Sequence, residues 1–200
     1  MTTRAHTANQ AGTTSNAISQ VTRQVSLPLA AAAGGLAVVG IATGFVSYLH
    51  RSPIREAHVP GTSAWAQQLV VAGVACVLYA VARWRHGRRF GRNSRRLLLL
   101  APVSRSAASR LVATMRQLSW RAAAAVPLLA LIGYGLWRTG EQVTAGLDPN
   151  FTVNAWGGPT YLGAMACHYL DVALITAAIA WLLDKILLPA SDPQFHRSTL

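Results

Sequence analysis

Residues 27–49 read LPLAAAAGGLAVVGIATGFVSYL and lie in a longer stretch, 24–49, without Lys, Arg, Asp, Glu or His. A bilayer core is about 30 Å thick, and a helix needs about 20 mostly apolar residues to cross it. Two further charge-free stretches cover 59–82 and 122–137, and a fourth, 149–183, holds just one histidine and one aspartate. This pattern predicts an all-α membrane protein with four transmembrane helices.

The bulk composition points the same way. Hydrophobic residues make up 52% of the 200 residues and charged residues 12%, whereas a soluble chain usually carries about a quarter charged residues. The 18 Lys and Arg outnumber the 6 Asp and Glu, and Lys185 is the only lysine. The arginine bias and the abundant alanine indicate a high-GC bacterial source. These proportions exclude a disordered chain, a disulfide-stapled secreted domain and a large soluble enzyme.

The tryptophans support the same layout independently, because indole rings favour the headgroup level of a bilayer. The predicted helices occupy about 27–49, 64–84, 118–138 and 160–188. Trp65 and Trp84 bracket the second helix, and Trp120 and Trp137 bracket the third. Each pair is about 26–28 Å apart at 1.5 Å per residue, close to the thickness of a hydrocarbon core.

The segments outside these helices are predicted to be tails and loops. Residues 1–26 are rich in Thr, Ser, Asn, Gln and Ala and show no apolar period, which predicts a disordered tail. The apolar run after them exceeds the h-region of a signal peptide and lacks an A-x-A cleavage site, so we expect an anchor. Residues 85–117 are predicted to be a basic loop, and 189–200 a C-terminal tail.

The distribution of cations predicts the orientation. Fifteen of the lysines and arginines lie on the side of the two termini and the basic loop, and three lie on the other side. Loops rich in Lys and Arg stay in the cytoplasm. We therefore expect a bacterial inner-membrane protein with both termini cytoplasmic.

A weak internal repeat favours two related helical hairpins, one from the first two helices and one from the last two. A shift of 91 residues places Trp65 on Trp156 and Cys76 on Cys167. Both cysteines lie in apolar runs, where they pack as small apolar groups, and no metal-site spacing is present. No metal and no cofactor is expected.

Gly40 and Gly44 form a G-x-x-x-G pattern in the first helix. Glycines four residues apart let another helix backbone approach closely. The pattern predicts helix packing, either within the bundle or between two copies of the chain.

The segment RWRHGRRFGRNSRR at 83–96 is strongly basic. Its arginines are Arg83, Arg85, Arg88, Arg89, Arg92, Arg95 and Arg96. They set the orientation, bind anionic lipid headgroups or bind another acidic partner. No nucleic-acid-binding module is present, so nucleic acid is not an expected partner. The spacing of Leu111, Met115 and Leu118 then predicts a short helix on the membrane surface.

The last helix carries the only ionisable groups predicted to lie within the hydrocarbon. His168 and Asp171 share one helix face, and Asp171 is ten residues from both Tyr161 and Trp181, which predicts a midplane position. A charge there costs at least about 2.5–3.5 kcal/mol, so a partner, a proton or a water-filled cavity must offset it. The pair is predicted to be either a proton relay or a structural clasp between helices. A haem would need a second intramembrane histidine, which the sequence lacks.

The loop at 139–159 is low in charge and rich in turn residues, and we favour a plain interfacial loop over a lid or a re-entrant hairpin. No P-loop, G-x-S-x-G, H-E-x-x-H or dinucleotide motif is present, so no enzyme activity is expected. Two functions remain. The first is a non-catalytic accessory or scaffold subunit, and the alternative is a small oligomeric transporter or proton-conducting protein that uses His168 and Asp171.

Overall fold

A computed structural model describes residues 25–90 and 103–189 of the chain. These residues form helices α1 (Leu27–Leu49), α2 (Trp65–Phe90), α3 (Arg105–Arg116), α4 (Trp120–Ala145), α5 (Pro149–Thr152) and α6 (Tyr161–Ile186). The helices α1, α2, α4 and α6 are long and apolar enough to cross a membrane. This confirms the prediction of an all-helical chain with four helices of membrane-spanning length.

Two of the helices extend well beyond their predicted ends. α2 continues from residue 84 to Phe90, so the first arginines of the predicted loop lie on a helix. α4 continues from residue 138 to Ala145, because Thr139, Glu141 and Gln142 interrupt the apolar pattern without breaking the helix. Most of the predicted N-terminal tail, residues 91–102 of the basic loop, and nearly all of the C-terminal tail lie outside the described residues.

The four long helices form an open row in the order α1, α4, α6, α2. α1 contacts α4 extensively, α4 contacts α6, and α6 contacts α2 over a smaller area. α1 and α2 barely touch, so the row does not close into a bundle. The first predicted hairpin is therefore not a packed pair, since α1 packs on α4 instead.

Glycine contacts explain why α1 pairs with α4. A Cβ on Gly44 would overlap the backbone carbonyl of Glu141, and a Cβ on Gly140 would overlap that of Ala37. Gly40 lies against the same part of α4. The two backbones run parallel and touch, which only residues without a side chain allow. Gly40 and Gly44 thus face α4 of the same chain, and this face is not open to a second copy.

α3 packs on the end of the row where α1 begins and α6 ends, which we call the terminal end. Its Leu111 and Met115 pack against a cluster that includes Ala125, Ile179 and Leu183. The apolar face that was expected to lie on the membrane surface is therefore largely covered by protein. Leu118, the third member of that predicted face, is instead exposed in the turn between α3 and α4.

Arg110 of α3 closes the last turn of α6. Its guanidinium pairs with the Asp184 carboxylate at 2.6 Å and donates to the main-chain carbonyls of Asp184 and Leu188 at 2.8 Å and of Leu187 at 3.2 Å. The hydroxyl of Thr114 accepts a hydrogen bond from the Leu188 amide at 3.0 Å. The last carbonyls of a helix have no partner within it, and here a single arginine binds three main-chain carbonyls at the end of α6.

The opposite end of the row, where α1 and α4 end and α2 and α6 begin, is the loop end. Asn150 accepts a hydrogen bond from the Glu56 amide at 2.9 Å and donates to the Ile54 carbonyl at 2.7 Å. Asn154 accepts one from the Val59 amide at 2.9 Å. These side-chain bonds tie the segment before α2 to the segment before α6, so the two segments form one ordered cover.

Candidate functional site

A cavity of about 340 Å³ lies at the loop end, between α4, α6 and the segment that precedes α6. It is lined by Arg138, Gln142, Phe151, Asn154, Ala155, Trp156, Gly157, Ala164, Met165, Cys167, His168 and Asp171. Its size is at the lower end of the range for small-molecule sites. Both residues of the predicted intramembrane polar site, His168 and Asp171, belong to its lining.

The depth of the cavity follows from one hydrogen bond between α2 and α6. The Gln68 amide nitrogen donates to Asp171 at 2.6 Å. Gln68 is three residues from the start of α2, whereas Asp171 is ten residues from the start of α6. α6 therefore reaches about 10 Å beyond α2 at the loop end, at 1.5 Å per residue. Asp171 lies about one helical turn below the first residue of α2. The midplane position expected from the sequence stays a prediction.

Asp171 has a partner that the sequence analysis missed. It bonds to Gln68 through one carboxylate oxygen, and its other oxygen has no hydrogen-bond partner among the described residues. No hydrogen bond joins Asp171 to His168 in this part of the chain, although a direct pair was one expectation. The sequence did contain one indication of this partner, since Gln68 is an amide inside the charge-free run 59–82 and a buried amide needs a hydrogen-bond partner.

His168 lies one turn above Asp171 and lacks hydrogen bonds. Its Nε2 atom is buried, and neither ring nitrogen bonds to another described residue. The ring lies 6.1 Å from that of Tyr169, at a tilt of 58°. A buried polar atom without a partner costs free energy unless a ligand or water satisfies it. His168 is therefore poised to interact with an occupant of the cavity.

Arg138 and Gln142 supply the polar wall on α4. The Arg138 guanidinium pairs with the Glu141 carboxylate and lies 5.1 Å from the centre of the Phe151 ring. Gln142 is buried, and its side-chain amide makes no hydrogen bond within the described residues. The wall thus offers an amide donor and acceptor next to a partly neutralised cation.

The cover of the cavity depends on two consecutive glycines. Gly158 adopts a positive φ of 85°, which residues with a side chain rarely adopt. Gly157 packs against the backbone of Gly163, and its carbonyl accepts a hydrogen bond from the Trp65 indole at 2.9 Å. The segment therefore folds back over the start of α6. It forms an ordered roof of the cavity, and the interfacial position expected from the sequence stays a prediction.

The charges at the cavity do not balance. Arg138 is ion-paired with Glu141, and Asp171 has no cation as a hydrogen-bond or ion-pair partner among the described residues. His, Cys, Asp and Glu side chains in this part of the chain form no group of three that would hold a metal ion. The arrangement can bind a small polar molecule, with one negative charge left to be compensated.

The predicted basic site lies at the terminal end, far from the cavity. Arg83, Arg85 and Arg88 are exposed on the last turns of α2, and the Arg88 guanidinium stacks 4.2 Å from the Trp84 ring. The side chain of Arg89 and the whole of Arg92, Arg95 and Arg96 lie outside what the structure describes.

No protein family, curated protein or solved structure matches the chain. The function is therefore inferred from two features described above, the open helix row and the cavity at its loop end.

Proposed function

We propose that this protein is a non-catalytic accessory or scaffold subunit of a bacterial inner-membrane assembly, with both termini in the cytoplasm. The observation that carries the proposal is the isolation of α2. Its contacts with the rest of the described chain are concentrated at the loop end, through Ala64, Trp65 and Gln68. A transmembrane helix without a packed face inside its own chain is available to a helix of another membrane protein.

The exposure of α2 is nearly complete below Gln68. Val70, Val77 and Leu78 are between 63% and 67% exposed. Between Gln68 and Arg85, only Ala72 and Ala75 are even partly buried. Most of the helix surface therefore faces lipid or a partner.

One face of α2 suits a close helix contact. Gly73, Cys76 and Ala80 follow steps of three and four residues, share a face and are all exposed. Nothing lies within 4 Å of the position where a Cβ on Gly73 would stand. Interfaces between helices in membranes are enriched in small residues, because close backbone approach gives the packing energy. This face fits an apolar helix of a partner chain.

The cavity supports a binding role over a catalytic one. A base within hydrogen-bonding distance is one way to activate a nucleophile. His168 makes no hydrogen bond to Cys167 or to any other described residue, so this pair is not assembled in the cavity. The absence of enzyme activity stays a part of this proposal.

Copurification with matched variants tests the proposal. After mild detergent extraction, we expect the wild-type protein to elute with a second membrane protein. Gly73→Leu on α2 should release that protein, and Gly34→Leu on α1 should retain it, since both glycines have open space around them. A monomer without a partner, or equal behaviour of the two variants, would contradict the proposal.

The orientation and the lipid contacts remain part of the proposal. Arg83, Arg85 and Arg88 lie together at the terminal end, which favours a cytoplasmic face with anionic headgroups. A reporter enzyme that is active only outside the cytoplasm should give signal when inserted after Gly61, in the exposed segment before α2, and none after Gly91. The reverse pattern would invert the topology.

The alternative function, a small oligomeric transporter or proton-conducting protein, has one supporting observation. The cavity gives Asp171 a polar approach from the loop end. Thr176 is the only polar side chain on α6 between Asp171 and Asp184, so a second copy would have to complete any path. Dissipation of a pH gradient in proteoliposomes, abolished by Asp171→Asn, would favour this alternative. Liposomes that hold their gradient with the wild-type protein would rule it out.

A further inference from the structure

We propose that the loop-end cavity is a binding site for an organic ammonium group, carried by a small free molecule or by a phospholipid headgroup. One chain forms the whole cavity, so this site goes beyond the assembly role and does not depend on it.

The charge of the occupant follows from the charges around it. Asp171 is the acidic residue of the cavity lining, and no described cation pairs with it, because the Arg138 guanidinium pairs with Glu141. The surrounding loop end has the same sign. It contains four acidic residues against three arginines, although the whole chain has a net charge of +12. These residues are Glu56, Glu141, Asp148 and Asp171, and Arg51, Arg55 and Arg138.

The open hydrogen-bonding positions indicate a charged ligand with further polar atoms. One carboxylate oxygen of Asp171 has no partner among the described residues and can accept from an ammonium group or lie against it. The Gln142 amide and the His168 ring are likewise without hydrogen bonds in the described chain. Both line the same cavity, nearer its roof. They provide donors and acceptors for a hydroxyl or phosphate group attached to the cation.

The remaining lining suits an organic cation. Trp156 and Met165 give the cavity an aromatic and an apolar wall. Cations bind favourably against the face of an indole ring. Inorganic cations of the transition-metal type lack a ligand set here, since no described group of three metal-ligating side chains exists.

The level of the cavity leaves both sources of the ammonium group open. Asp171 lies about one turn below Trp65, and indole rings favour the headgroup level of a bilayer. We expect the headgroup of a neighbouring lipid at this depth. Arg138, Gln142 and the roof lie nearer the loop end, from which we expect a dissolved molecule to enter.

The experiment uses choline and its uncharged isostere 3,3-dimethylbutan-1-ol. The full-length protein is reconstituted in nanodiscs of phosphatidylglycerol, a lipid without an ammonium group, and binding is measured calorimetrically against empty discs. We expect saturable binding of choline to one site per chain. The isostere should bind at least about tenfold more weakly, since it lacks the charge-assisted contact. Equal affinity of the two compounds would overturn the proposal. So would the absence of saturable choline binding in every disc composition used.

Two aspartate variants locate the site. Asp171→Asn keeps an acceptor for Gln68 and should weaken choline binding at least about tenfold. Asp148→Asn removes the same charge at the same end of the molecule, where Asp148 caps α5 outside the cavity, and should leave affinity unchanged. Equal loss in both variants would show only general surface attraction and would contradict the site. If Asp171→Asn does not fold, the isostere comparison on the wild-type protein still decides the matter.

A lipid comparison distinguishes the two sources. In one set of discs a third of the phosphatidylglycerol is replaced by phosphatidylethanolamine, and in the other by an uncharged glycolipid, so the net surface charge stays equal. Choline affinity that falls severalfold only with phosphatidylethanolamine identifies the headgroup as the occupant. Equal affinity in both sets identifies a free ammonium compound. If the purified protein retains as much phosphatidylethanolamine after Asp171→Asn as before, the headgroup assignment is overturned.

Discussion

α1 and α2 are both apolar helices of membrane-spanning length, yet they are attached to the rest of the molecule in opposite ways. α1 lies along α4 with backbones in contact at Gly40, Gly44 and Gly140. α2 is held near one end by polar contacts, and its remaining length is exposed. In a bilayer, lipid tails solvate an apolar helix as well as another helix does, so apolarity alone selects no partner. The partner of each helix therefore depends on how closely the two helix surfaces fit together.

The same comparison explains the proposed role. α1 finds a closely fitting partner, α4, inside its own chain, because glycines on both helices allow their backbones to touch. The small-residue face of α2, formed by Gly73, Cys76 and Ala80, meets nothing within the described residues. The difference between the two helices is therefore the strongest sign that a second protein completes the structure.

The largest effect is expected where the two backbones touch. Gly44→Leu places a side chain where the Glu141 carbonyl stands, and neither backbone can move without separating α1 from α4. We expect a loss of more than about 3 kcal/mol in unfolding free energy. Unfolding in detergent measures it, with Gly34→Leu, which meets nothing within 4 Å, as a near-neutral control. Equal stability of the two variants would break the account of the α1–α4 contact.

The next effect concerns the terminal end, where α3 packs against α6. Arg110→Gln removes an ion pair and three bonds to main-chain carbonyls at the end of α6. We expect a loss of about 2–4 kcal/mol, because hydrogen bonds from charged groups are worth more than neutral ones. Arg105→Gln, on the exposed first turn of α3, is the control and should stay within about 0.5 kcal/mol. If both variants lose the same stability, the effect is due to the loss of a positive charge and not to the contacts of Arg110.

A smaller effect is expected at the polar attachment of α2. In a double-mutant cycle, Gln68→Leu and Asp171→Leu should be coupled by about 0.6–1.7 kcal/mol, the range for hydrogen bonds between membrane helices. His168→Leu and Asp171→Leu should be coupled more weakly, since no hydrogen bond joins them although both line the same cavity. Thermal unfolding in detergent provides both cycles. Coupling to His168 and none to Gln68 would reverse the assignment of the Asp171 partner.

The smallest effect is expected in the exposed part of α2. Val77→Ala removes the two methyl groups of a residue that is 63% exposed and should change the stability of the isolated chain by less than about 0.5 kcal/mol. The reference is Ile179→Ala in the buried cluster of α6, which should cost about 2 kcal/mol or more. If Val77→Ala proves equally costly in the purified monomer, α2 packs within its own chain after all.

The sequence was sufficient to predict the four helices because bilayer thickness imposes a length and an apolar composition on each. The tryptophan pairs around the second and third helices indicated a similar length, although both helices continue beyond Trp84 and Trp137. Helix pairing was not predictable in the same way. The G-x-x-x-G at Gly40 and Gly44 announced a close contact, but the matching glycine on α4, Gly140, lies beyond the apolar run that defined the predicted helix.

The candidate site was predictable in part for a related reason. His168 and Asp171 stood out as ionisable residues in an apolar segment, and both line the cavity. Their depth was predicted from the bracket of Tyr161 and Trp181 on one helix, whereas the bond to Gln68 sets Asp171 level with the first turn of α2. The contributions of Gln68 and Gln142 arise from contacts across the chain, which no periodicity in one helix reveals.

Site-specific photo-crosslinking in native membranes tests most directly whether α2 contacts another protein. A photoreactive residue is placed at Val77 on α2 and, as a control, at Leu131 on α4, two exposed positions. The account predicts a crosslink from Val77 to a different polypeptide, lost when Gly73→Leu is added, and lipid adducts alone from Leu131. Lipid adducts alone from both positions, or a crosslink from Val77 that Gly73→Leu does not affect, would contradict it.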